Sequence, residues 1–207
     1  MLPSFSRRRF VTIAASASLV SALPSLCVGM EDAEYSDPEG RERWLSPLFG
    51  LGASTGALLL GKFADSMYFT TGPIGWGPNP GQKGPPPVSV PVGFVTDLAS
   101  IPRVFWSILP TNGRYAHSAV VHDYLYWEQS LSREESDEVM ALSMADFDIS
   151  KSTIKAIRTA VRSPGGQRAW DKNARLKALG EKRVLRRFPN TPTVTWDAWK
   201  RQPGVFR

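Results

Sequence analysis

The chain has 207 residues, a formal net charge of +6 and one cysteine. That length supports one domain with a sizeable core, and a single cysteine excludes an internal disulfide framework. Three of the positive charges are Arg7, Arg8 and Arg9; the modest remainder, with no zinc-finger, RNP or helix-turn-helix pattern, argues against nucleic-acid binding.

The N-terminus sets Ser6-Arg7-Arg8-Arg9-Phe10-Val11 before an uncharged run, Thr12 to Leu26. A basic stretch ahead of an apolar one is the layout of a cleavable leader. Residues 1–30 are therefore expected to leave the mature protein, with a cut between Ala22 and Met30. The pattern resembles the twin-arginine signal, which implies the Tat export machinery as a partner and a periplasmic or secreted destination. Cys27 follows Leu26 rather than a small residue, so a lipid anchor is disfavoured.

Residues 31–62 combine an acidic linker with the uncharged run Leu45 to Gly61. A membrane helix needs about twenty mostly apolar residues, so a buried or surface-docked segment is expected there. Ser66 to Thr71 and Val88 to Val95 have strand composition, separated by a Gly- and Pro-rich stretch, Gly72 to Pro87, expected to be a long loop. Pro91 suggests an edge or a bulge. One small antiparallel sheet is the consistent picture.

From Arg114 the period becomes helical, through Tyr115, Ala119, His122 and Tyr126 to about Gln129. Ser132-x-x-Glu135 is a capping box that opens a second helix towards Phe147. Its connection to the first is two residues long, which makes the pair antiparallel. Ser150 to Arg162 predicts a third helix, stopped at Pro164-Gly165-Gly166. A fourth, basic helix is expected over Arg168 to Arg187, before a polar tail containing tryptophan. The fold class is α+β, a small antiparallel sheet followed by a three- to four-helix half, with the main domain over 63–170 and the basic helix and tail over 171–207.

Candidate chemistry gathers on the first helix. Each residue turns about 100°, so His122 and Tyr126 lie about 40° apart and Asp123 about 60° from Tyr126. The antiparallel partner helix brings Asp137 opposite, and Asp97 and Ser100 stand where a strand exits into a turn. A catalytic or metal site is one reading of this group; a buried hydrogen-bonded histidine that only braces the hairpin is the other. His117, about 140° from His122, is read as a surface residue. Ser100 lacks the glycine-flanked elbow of a nucleophilic serine, and Trp76, Trp106, Trp127 and Trp170 are read as core or rim aromatics. The cations of 168–187 form a solvated face or an anionic-membrane contact.

VPVGFVTDLASIPR, AVVHDYLY and ESDEVM resemble the phage and bacterial family that carries the domain of unknown function numbered 1353, over roughly Ser66 to Trp170. That resemblance supports boundaries and implies little about chemistry. His-Asp-x-x-Tyr on one helix with an Asp on its antiparallel neighbour is also similar to secreted phospholipases of the A-two class, including cysteine-free viral capsid versions. This second resemblance implies His122 as general base, Asp137 and Tyr126 as its orienting partners, and Asp123 as a calcium ligand, with Asp97 a further candidate ligand. The glycine-rich calcium loop of those enzymes has no counterpart here, and Pro110-Thr111-Asn112-Gly113 or the turn at Asp97 is the available source of carbonyls. The function expected is an exported hydrolase of the envelope, a calcium-dependent phospholipase-like esterase in its sharpest form. A non-enzymatic phage-derived structural or interaction protein is the alternative class, and a peptidoglycan-active enzyme a third.

Overall fold

The computed structural model describes residues 53–98 and 115–207. The leader, the acidic linker, Ser100, Trp106 and Pro110 to Gly113 lie outside the described residues.

Six short strands, β1 (Ala53–Thr55), β2 (Leu60–Lys62), β3 (Tyr68–Thr70), β4 (Ile74–Gly77), β5 (Val88–Val90) and β6 (Val95–Thr96), pair antiparallel throughout. They form two sheets ordered β1-β4-β5 and β2-β3-β6, where the sequence suggested one. The fold class is α+β as read. The central strand β4 lies inside the stretch expected to be loop. In Ile74-Gly75-Trp76-Gly77 the two large side chains alternate with glycines, so the period of two survives in spite of the composition. Its four residues are all buried between β1 and β5, with Ser54 opposite Trp76 and Ile74 opposite Val90.

The first helix, α1 (Ala116–Glu128), is buried at Ala116 to His122 and at Leu125 to Trp127. A helix buried nearly all round is a central helix: α1 packs on β4, β5 and β6 and on helices α2 and α4. The surface reading of His117 fails for this reason. At 4% exposure it is buried, and its Nε2 donates to the Thr55 carbonyl at 2.9 Å. An angular offset from His122 points to water only when a helix has a wet face.

Helix α2 (Arg133–Asp146) begins with the expected capping box, Ser132 N donating to Glu135 Oε2 at 2.8 Å and Glu135 N to Ser132 Oγ at 3.2 Å. Helix α3 (Lys151–Val161) is capped by Ser150. Pro164-Gly165-Gly166 does not merely stop α3; it is the first turn of α4 (Pro164–Ala178), with Ser163 as cap and Pro164 at the position where a missing N–H costs nothing. The basic helix therefore starts earlier and ends earlier than 168–187. Gly180, at φ 85°, closes it: Gly180 N donates to the Lys177 carbonyl and Glu181 N to the Leu176 carbonyl, a Schellman motif. Lys182 to Arg187 lies beyond, where Val184 bridges Phe94 and Leu185 bridges Phe206. Gly93, at φ 91°, permits that approach, since a Cβ there would lie 2.4 Å from the Leu185 carbonyl oxygen.

Two cores result. Ile74, Trp76 and Val90 meet Val120, Leu125 and Met140 in the larger one. Phe63, Phe69 and Val95 are covered by Leu185, Val205 and the tryptophans of the one-turn helix α5 (Trp196–Trp199) in the smaller. The tail read as polar thus supplies the lid of the second sheet. Trp76 and Trp127 are core, as read, and Trp170 is half-buried. No helix among the described residues is long and apolar enough to cross a membrane.

Candidate functional site

The four-residue connection between α1 and α2, Gln129 to Ser132, sets the helices antiparallel and brings His122 against Asp137. His122 Nε2 lies 2.9 Å from Asp137 Oδ1, and the Tyr126 hydroxyl donates to the same oxygen at 2.7 Å. A carboxylate accepts, so Nε2 carries a hydrogen, and whenever the ring is neutral Nδ1 is its acceptor nitrogen. Tyr126 also packs on the His122 ring, centroids 4.1 Å apart, and its other side meets Trp170 edge-on at 5.2 Å. Burial first, and the bond to Asp137 second, push the Tyr126 hydroxyl far above the ordinary tyrosine range, so it stays a donor.

Arg133 was not anticipated. From one turn earlier on α2 it donates Nη1 to Asp137 Oδ2 at 3.3 Å, an i,i+4 pair whose spacing was visible in the sequence. Asp137 therefore accepts from three donors, and it and His122 are each 1% exposed. A buried carboxylate is stable only with such partners.

His122 nevertheless forms part of the floor of a cleft of about 520 Å³, which Asp97, Asp123, Tyr126, Lys172 and Arg183 also line. Asp123, half-buried, accepts from the Thr96 hydroxyl on β6, which joins the helix to the end of the sheet. Asp97 is exposed, and Leu98 beside it is held at φ 55°, a left-handed conformation unusual for a bulky residue. The structure thus brings His122, Tyr126 and Asp137 together in one network, and sets Asp123 and Asp97 on the wall of the adjoining cleft.

Helix α4 forms the opposite wall because α1 ends in carbonyls that lack helical partners. Asn173 Nδ2 donates to the Tyr126 carbonyl at 3.1 Å and Lys177 Nζ to the Glu128 carbonyl at 2.9 Å. Arg183 reaches the cleft from beyond the helix, stacked 4.5 Å over Trp127 and paired with Glu181 at 3.2 Å. Neither Lys172 nor Arg183 carried any local signal beyond charge.

Two carboxylates suit a hard cation in kind, since calcium takes oxygen ligands. They would supply only part of its shell: calcium takes six to eight oxygens, and among the described residues no group of three or more metal-ligating side chains occurs, so carbonyls and waters would have to provide the remainder.

No curated protein and no solved structure matches this chain. A family model does match, and over the segment that carries β5, β6 and α1 to α3, hence His122, Asp123, Tyr126, Arg133, Asp137 and Asp97. The family that residues 81–161 match is the one described as Protein of unknown function (DUF1353).

Proposed function

We propose that the chain is a hydrolase that activates water with His122 and cleaves an ester, most simply that of a phospholipid, in the cleft beside it. The observation that carries this reading is a histidine with one nitrogen bound to a carboxylate at 2.9 Å and its ring on the floor of a cleft. In this reading Nδ1 takes the proton of water as it attacks the acyl carbon, and the proton passes to the leaving oxygen as the tetrahedral intermediate collapses. Asp137, fixed by Tyr126 and Arg133, holds the ring orientation and offsets the charge of the imidazolium. Asp123 and Asp97 are the residues that would hold a calcium ion, with carbonyls and waters completing its shell. When bound, calcium supplies Lewis-acid stabilisation of the oxyanion. The resemblance of the N-terminus to a twin-arginine signal supports an envelope setting for this activity.

The test is turnover of short-chain phospholipids and simple esters by the wild type, His122→Asn and Asp123→Asn, with calcium titrated by calorimetry. His122→Asn is expected to lower turnover by about 10² to 10⁴-fold while the fold survives. Asp123→Asn is expected to weaken calcium binding. Absence of turnover on every ester, or turnover that His122→Asn leaves unchanged, overturns the reading.

A non-enzymatic role is favoured by one specific observation, the 1% exposure of both His122 and Asp137. In that case the pair braces the α1–α2 hairpin of a structural or interaction protein. His122→Asn then costs stability, about 1 to 3 kcal/mol for a buried partner left unsatisfied, and calcium has no effect on any variant.

A further inference from the structure

Helix α4 has no buried residue along its fifteen positions, and its far end forms a second groove of about 580 Å³. Leu176 and Phe206, both half-buried, give this groove its apolar surface, and Leu179 stands at its edge 83% exposed. An exposed leucine by itself is ordinary. This one is held out by the Schellman motif at Gly180, so its position follows from a hydrogen-bonded helix end.

The groove is bordered by Lys182, Lys200 and Arg201. Its acidic neighbours are already matched, Glu181 by Arg183 at 3.2 Å and Asp197 by Lys200 at 2.5 Å. Lys182 and Arg201 are exposed, and Lys182 Nζ, which donates to the Arg207 carbonyl at 2.9 Å, keeps its remaining hydrogens for a ligand. An apolar residue projecting from a cationic border has the chemistry of a peripheral contact with an anionic bilayer: the leucine enters the acyl boundary, and the cations meet the lipid phosphates.

We propose that this groove docks the protein on anionic phospholipid membrane, with Leu179 as the inserted side chain and Lys182 and Arg201 as the phosphate contacts. The same helix lines the His122 cleft through Lys172, two turns before Leu179. Docking at one end of α4 therefore brings the cleft near the lipid surface. The proposal stands apart from the hydrolase reading, because binding needs no turnover.

Co-sedimentation of the leaderless protein with vesicles tests it, using phosphatidylcholine alone and phosphatidylcholine with phosphatidylglycerol. Binding is expected only to the anionic vesicles and is expected to weaken with salt. Each of Lys182→Ser and Arg201→Ser is expected to lower it about fivefold, and Leu179→Ser about tenfold from lost apolar burial. All three positions are on the surface, and circular dichroism checks that each variant folds. No binding to anionic vesicles overturns the proposal. So does binding that Leu179→Ser leaves unchanged, which marks a salt-sensitive attraction without a docking site.

Discussion

His117 donates from Nε2 to the Thr55 carbonyl between α1 and β1, and burial there lowers its pKa from the ordinary histidine value. The backbone contact and nearby Asp146 act in the opposite direction and offset only part of that shift. A histidine whose folded pKa is depressed binds fewer protons than in the unfolded chain. Stability therefore is fully present above about pH 6.5 and falls as pH drops towards the folded value. Urea unfolding at pH 7.5 and pH 5.0 is expected to show that loss, and His117→Gln is expected to reduce the pH dependence. An unchanged pH dependence in the variant assigns the loss elsewhere. His122 differs in kind, since its partner is a carboxylate rather than a carbonyl. The proximity of His122, Tyr126 and Asp137 was legible from spacing because a helix and a short connection fix relative positions over short separations. Thr96 was not, because its contact with Asp123 joins a strand to a helix far along the chain.

At the scale of the element, α4 is positioned by the turn that precedes it. A Cβ on Gly166 would lie 1.7 Å from the Val161 carbonyl oxygen and 3.4 Å from the Tyr126 hydroxyl, whereas on Gly165 it would meet only Ser163 Oγ at 3.3 Å. Gly166→Ala must open the α3–α4 junction and is expected to cost about 1 to 3 kcal/mol. Gly165→Ala is expected to be much milder. Urea midpoints of the two variants check the contrast, and equal midpoints would show that the junction relaxes freely. The Ser132 capping box was readable in advance because its partner, Glu135, lies three residues away. The sense of Pro164-Gly165-Gly166 was not, because the same residues end one helix and begin another.

For the whole molecule, the two cores make the C-terminal segment part of the fold. Trp196, Trp199 and Val205 close over Phe63, Phe69 and Val95, and Arg207 donates to the Val92 carbonyl at 3.1 Å. A domain that folds without an internal disulfide is compatible with the twin-arginine route that we propose for it. Replacing Arg7 and Arg8 by Lys is expected to abolish export, since lysine does not reproduce the planar guanidinium. Fractionation for the mature form checks this, and undiminished export would remove the twin-arginine assignment.

Local and near-local physics was written in the chain: the helical period of α1 to α3, the Ser132 cap, the antiparallel hairpin and hence the meeting of His122 with Asp137. Tertiary structure decided the rest. Burial of α1 on nearly every side withdrew His117 from water, because packing rather than helical phase sets which face is wet. The strand β4 formed within a Gly- and Pro-rich stretch because its neighbours bury it. Lys172 and Arg183 reached the cleft because α4 caps the open carbonyls of α1. Leu179 was left exposed because the Schellman turn holds it where nothing in the described fold covers it, a property of the surface that no period of residues encodes.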